Sequence, residues 1–184
     1  MNDPDFPLHD RNTAPGAAAA FDRAEGVFGM IPNLTRKMAT SPALAQAYME
    51  LTGLFEGCSL SAQERSVVLL TVSRFHGCDY CMAAHSMTGR MSGLPDAAVD
   101  ALREDRPLED SRLEGLRQFV HTMLEKRGWV DPADIRAFHA TGFSEQQVLD
   151  VILGIGLKTL SNYTNHIAGT PVDEAFAHDR WTAP

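Results

Sequence analysis

Cysteine is scarce in this chain: 184 residues contain three, Cys58, Cys78 and Cys81. Three thiols make a poor disulfide framework, and two of them in a C-x-x-C fit a cytosolic chain that uses a thiol pair for redox chemistry or metal binding. Cys58, between Gly57 and Ser59 in a connection, reads as a bystander. Basic residues are also in deficit. Sixteen Lys and Arg against 24 Asp and Glu leave a net charge of −8, and the cations are scattered, so no nucleic-acid partner is expected and the charge is read as serving solubility. Long apolar runs are missing. The longest, around Val148 to Leu160, is interrupted by Asp150 and Lys158 and falls short of the ~20 residues that span a bilayer, so no membrane partner is expected. The opening Met1-Asn2-Asp3-Pro4-Asp5 lacks the basic and then apolar regions of a secretory signal, and a cytoplasmic location follows as the expectation. Convincing period-two alternation is absent as well, which argues against strands.

What remains is the punctuation of helices. Residues 1–15 hold several Pro and Asp with little periodicity and are expected to form an N-terminal arm, with residues 16–184 as a single helical domain. Ser41-Pro42 opens a helix that Gly57 closes. Ser61-x-x-Glu64, Ser111-x-x-Glu114 and Ser144-x-x-Gln147 are capping-box patterns, and Asp131-Pro132 starts a shorter helix. The last box opens a long apolar helix expected to run to about His166. A weak internal repeat lays Ser61–Ala83 over Ser144–His166 without a gap, placing Tyr80 on Tyr163 and Cys78 and Cys81 on Ser161 and Thr164. The expected class is all-α, a helical bundle with a weak pseudo-repeat.

If a helix begins near Gly77, Cys78, Cys81 and His85 are three and four residues apart and share one face. The positive end of a helix and a neighbouring imidazole both favour a thiolate. A thiolate attacks peroxide to give a sulfenic acid, which a second thiol nearby converts to a disulfide; an external dithiol then reduces the pair. This cycle needs no cofactor, and no metal or flavin motif is evident. Zinc held by the two thiols and His85, with His76 as a further ligand, is the competing reading, weakened by the lack of a second ligand pair. Buried cysteines without a role are the plain alternative.

The stretch Leu69-Leu70-Thr71-Val72-Ser73-Arg74-Phe75-His76-Gly77-Cys78-Asp79-Tyr80-Cys81-Met82-Ala83-Ala84-His85-Ser86 resembles the signature of the alkylhydroperoxidase D-like and carboxymuconolactone decarboxylase-like proteins, particularly the peroxidase-related group. The resemblance implies an all-α subunit that assembles into homo-oligomers and reduces small hydroperoxides. Cys81 would be the peroxidatic thiol, Cys78 the resolving thiol and His85 a member of a proton relay. In the family a lipoylated partner protein can serve as the external dithiol reductant. Two relay positions depart from the pattern. Ser66 stands where a glutamate is usual, twelve residues before Cys78, and Tyr80 where a histidine is common. Ser66 and Tyr80 are therefore candidate relay residues of weaker kind, with His76 and His166 as possible substitutes, and Glu64 is assigned to its cap.

The expected function is a thiol-dependent peroxidase. The alternatives are a lactone decarboxylase-like lyase or isomerase that uses His85 as acid or base, and a non-enzymatic redox or metal-responsive module.

Overall fold

The computed structural model describes residues 6–184, and the part of the expected arm before Phe6 lies outside them. Among these residues there are nine α-helices and no strands: α1 (Ala18–Phe28), α2 (Asn33–Met38), α3 (Pro42–Glu56), α4 (Ala62–Phe75), α5 (Asp79–Met91), α6 (Asp96–Arg103), α7 (Ser111–Glu125), α8 (Pro132–Ala140) and α9 (Glu145–Ala168). Short 3₁₀ turns stand at Pro15–Ala17 and Glu174–Asp179. No described helix is long and apolar enough to cross a membrane. Residues before the first turn lie along α2, where Arg36 donates to the carbonyls of His9 (2.9 Å) and Leu8 (3.3 Å).

Local chemistry sets most helix starts. Ser41 accepts from the N–H of Leu44, and both halves of the box form at Ser61/Glu64, Asp131/Asp134 and Ser144/Gln147. Each such cap satisfies donors the helix cannot, worth about 1 kcal/mol. The start of α7 differs from expectation. Asp110, not Ser111, is its cap, because one carboxylate oxygen reaches the N–H groups of both Arg112 and Leu113. Glu114 is then drawn to Arg117 and to the N–H of Leu108.

α4 lies at the centre, against α5, α7 and α9, with Val67, Val68, Leu70 and Val72 fully buried. α9 runs past it to touch α2, α3 and α5. The two repeat copies therefore pack on each other, but they differ in form. The first is broken at Gly77, which holds φ +64°, whereas the second is one unbroken helix. Position 160, equivalent to Gly77, is leucine, whose Cβ disfavours the left-handed conformation needed for a break.

The close approach of α9 rests on Gly154. A Cβ there would lie 2.8 Å from both a Phe55 ring carbon and a Val68 methyl, whereas a Cβ at exposed Gly156 would meet nothing within 4 Å. Opposite outcomes are expected in urea unfolding. Gly154→Ala should cost about 1–3 kcal/mol through overpacking despite its better helix propensity, and Gly156→Ala should gain about 0.5–1 kcal/mol from that propensity alone.

Candidate active site

Gly77 turns the chain out of α4, and the Cys78 N–H donates back to the carbonyl of Ser73 (3.0 Å). Cys78 is the extended cap residue, α5 begins one position later at Asp79, Cys81 sits in its first turn, and His85 follows one turn on. The helix thus starts two residues later than expected from the sequence, leaving Cys78 just outside it. Both thiols are buried and unpaired.

The facing side of α9 completes the cluster. The Asn165 amide donates to Cys81 Sγ (3.2 Å) and to Cys78 Sγ (3.6 Å), so one side chain touches both sulfurs. Ser161 Oγ stands 3.8 Å from Cys81 Sγ. Lys158, only 1% exposed, places Nζ 2.8 Å from His85 Nε2, and its charge acts on the Cys81 sulfur. Asn162 meets His76 Nδ1 through Oδ1 (2.9 Å). Lys158, Ser161, Asn162 and Asn165 were not anticipated as site residues. The available signals were a lysine inside an otherwise apolar helix and the repeat that sets Ser161 over Cys78.

These contacts divide the two thiols. Burial works against a thiolate at Cys81, but hydrogen bonding from Cys78, the charge of Lys158, and Ser161 outweigh it and hold this thiol well below its usual range. Cys78 moves the other way, because its hydrogen bond to Cys81, burial and the charge of Cys81 all favour its proton. Burial, then the Lys158 charge, pushes His85 well below the usual imidazole range, so it stands neutral and offers Nε2 as an acceptor to the lysine.

Cys81 and His85 face a cavity of about 250 Å³. Its wall is mostly apolar, with Phe28, Leu34, Met87 and Phe176 among its members, and no Asp, Glu, Lys or Arg lines it. The C-terminal segment closes one side. It is held by Asp173, which accepts from the Asn33 N–H (3.1 Å), and by Arg103, which donates to the carbonyls of Asp179 and Arg180 (both 3.0 Å).

The remaining candidates fall outside the thiol cluster or into other duties. Ser66 Oγ donates to the carbonyl of Ala62 (3.0 Å) and pairs with Ser92 Oγ (3.0 Å) just beyond the far end of α5. That is eleven residues from Cys81, about 16 Å of helix, so Ser66 is not a direct relay member. Tyr80 lines the cavity, but its hydroxyl donates to Asp173 Oδ2 (2.6 Å) and accepts from the Leu34 N–H (3.3 Å). Burial and the Asp173 charge push its pKa up, so it stays a phenol tied to the C-terminal segment. Glu64 forms its cap and an ion pair with Arg112 (2.8 Å). His166 is exposed in the last turn of α9. Among the described residues no three His, Cys, Asp or Glu side chains are grouped to hold a metal ion.

Residues 42–109, from α3 through α6 and just beyond, match the model of the carboxymuconolactone decarboxylase family, and this segment holds the C-x-x-C and His85. The whole chain has the alkylhydroperoxidase D-like helical fold. It superposes with TM-score 0.83 and 18% identity on a protein from Ralstonia eutropha JMP134 described as an alkylhydroperoxidase AhpD core and uncharacterized peroxidase-related protein, covering 93% of both chains. An uncharacterized peroxidase-related protein from Silicibacter sp. TM1040 gives TM-score 0.78 at 20% identity over 94% of this chain and 92% of that one. The debrominase Bmp8, solved as a cysteine-to-alanine variant with 2,3,4-tribromopyrrole, gives 0.76 at 19% identity over 97% and 96%. No curated protein matches the sequence.

Lys158 supplies the positive charge nearest the low-pKa thiol, which sets a sign for its removal. Lys158→Met should raise the pH at which Cys81 ionises and slow its alkylation at neutral pH by about tenfold or more. In the parent protein the rate should hold nearly level from pH 9 to neutrality and fall only below the lowered pKa of Cys81. An ordinary thiol of pKa ~8.5 loses about 25-fold over those two units. Iodoacetamide kinetics against pH, with peptide mapping, reads both.

Proposed function

We propose that this protein is a thiol-dependent peroxidase for small hydroperoxides. The observation that carries the reading is the environment of the Cys81 sulfur: a thiolate held by Lys158 and Asn165, beside a protonated Cys78, on the wall of a cavity. In the proposed cycle Cys81 attacks the terminal peroxide oxygen and the O–O bond breaks. Lys158, through its hydrogen bond to His85, is placed to provide the proton that turns the departing alkoxide into an alcohol. Cys81 is left as a sulfenic acid. The Cys78 sulfur then attacks the Cys81 sulfur; an S–S bond forms, the S–O bond breaks, and hydroxide leaves with the Cys78 proton as water. One hydroperoxide and two thiols thus become alcohol, water and a disulfide, which an external dithiol reduces. His85 and Lys158 take the place that Ser66 and Tyr80 held in the sequence-based expectation.

A second reading has support in the cavity and in the likeness to Bmp8. The same dithiol can reduce a halogenated aromatic ring. The Cys81 thiolate takes the halogen, the ring carbon gains a proton, and Cys78 displaces halide to give the same disulfide. An apolar cavity without charged lining suits such a ring. It suits a carboxylated lactone poorly, because a carboxylate calls for a cation that the lining lacks.

Stopped-flow mixing of reduced protein with cumene hydroperoxide, followed by thiol counting, tests the leading reading. Two thiols should disappear in the parent protein. Cys78→Ser should stop at a sulfenic acid trapped by dimedone, and Cys81→Ser should lose none of this rapid reaction. Rapid thiol loss that survives Cys81→Ser would overturn the assignment. Bromide release from a bromopyrrole, without turnover of hydroperoxide, would favour the second reading.

A further inference from the structure

The cavity has one polar atom that the fold leaves unused. Thr35 is fully buried in α2 and lines the cavity, and its Oγ1 is one of five buried side-chain polar atoms among the described residues that meet no hydrogen-bond partner. None of the residues carrying the other four lines this cavity. A buried hydroxyl left unpaired costs about 1–3 kcal/mol, and a threonine in a helix ordinarily avoids that by bonding back to a carbonyl of the preceding turn. Thr52, Thr159 and Thr164 all do so here. Thr35, a residue of the wall that Cys81 shares, instead leaves its hydroxyl unpaired.

The Tyr48 phenol lines the same wall. Burial, followed by the charge of Cys81, pushes its pKa up, so it remains a donor. Thr35 follows Leu34, whose N–H meets the hydroxyl of Tyr80, the residue before Cys81, and this bond keeps α2 against the start of α5. Thr35 and Tyr48 therefore share a wall with Cys81, while most of the other lining is hydrocarbon or aromatic.

We infer that Thr35 and Tyr48 are specificity-determining residues. They select a neutral, mainly apolar molecule of about one ring that carries a single hydroxyl-type group, and they hold that group beside Cys81. The size follows from the volume, since a cavity of ~150 Å³ already takes benzene and this one offers about 250 Å³. Exclusion of an anion follows from a lining with no Lys or Arg, because an anion placed beside the Cys81 thiolate would give up its hydration without a counter-charge. One polar group follows from the unpaired threonine hydroxyl and its phenolic neighbour. The identification of the held group as a hydroperoxide rests on the peroxidase reading; the selection of the ligand's body does not.

Equilibrium binding to the full reduced chain separates the two. The probes are 2-phenyl-2-propanol, isopropylbenzene, which lacks the hydroxyl, and benzoate, which carries a charge, each titrated by ligand-observed NMR. The parent protein should bind the alcohol best and benzoate least. Thr35→Val keeps the shape and removes the hydroxyl, and it should lower the ratio of alcohol to hydrocarbon affinity by about fivefold or more. A residue needed only for folding would weaken both ligands together and leave that ratio alone. Tyr48→Phe should lower the same ratio and serves as the second variant if Thr35→Val does not fold. An unchanged ratio in the folded variants, or benzoate binding as tightly as the alcohol, would overturn the inference. Binding as expected with no loss of thiols to hydroperoxide would leave the inference standing and remove the peroxidase reading.

Discussion

Burying an ammonium group is the constraint around which this molecule is arranged. Lys158 lies in the middle of α9 with almost no exposure, and taking such an ion out of water costs several kcal/mol unless charge and hydrogen bonds replace the hydration. Its hydrogen-bonding partner is the neutral ring of His85, the sulfur of Cys81 feels its charge, and no carboxylate is in salt-bridge contact with it among the described residues. The ring can accept one hydrogen bond but brings no negative charge. A thiolate brings that charge, so the lysine and the ionised form of Cys81 stabilise each other. The low pKa of the thiol and the tolerance of the fold for a buried lysine are two sides of one interaction.

That interaction needs α9 straight and α5 interrupted. An unbroken helix through residues 76–78 would carry the thiols onward in line with α4. The left-handed Gly77 starts a new helix instead, with Cys81 in its first turn. The second repeat copy stays continuous because leucine occupies the equivalent position, and this delivers Lys158, Ser161 and Asn165, three and four residues apart, to the cluster facing α5. The repeat therefore does more than supply a symmetric core. One copy carries the sulfurs, and the other has exchanged thiols for the groups that control them.

The legible and illegible parts of the sequence divide along this line. Helix starts could be read because a cap is made within four residues: the Ser61 and Ser144 boxes form as their spacing implies, and a helix does start at Asp131-Pro132. The start of α7 was harder, since Asp110 and Ser111 are both competent caps and the outcome turned on a carboxylate that spans two N–H groups. Cys78, Cys81 and His85 could be grouped because all belong to one short stretch around a helix start. Lys158 and Asn165 could not, because they reach the sulfurs only through packing between α5 and α9, some eighty residues apart in the chain. Ser66 shows the reverse error. The family resemblance placed a relay residue at its position, but the antiparallel run of α4 and α5 puts it beside Ser92.

On the proposed cycle the same constraint couples electron flow to the charge of the buried site. Oxidation of Cys81 to a sulfenic acid and then to a disulfide removes the negative charge that justifies the buried ammonium. The departing alkoxide then meets a lysine that has lost its counter-charge. Reduction of the disulfide restores the thiolate and with it the counter-charge of the buried ammonium. His85, neutral and in hydrogen-bond contact with Lys158 at the cavity wall, joins the buried charge to the space where the leaving group would sit. A carboxylate relay would hold its charge through both half-cycles. A lysine beside the reacting sulfur instead loses its counter-charge in one half-cycle and regains it in the other, so the redox state of the thiols sets the charge balance of the buried site.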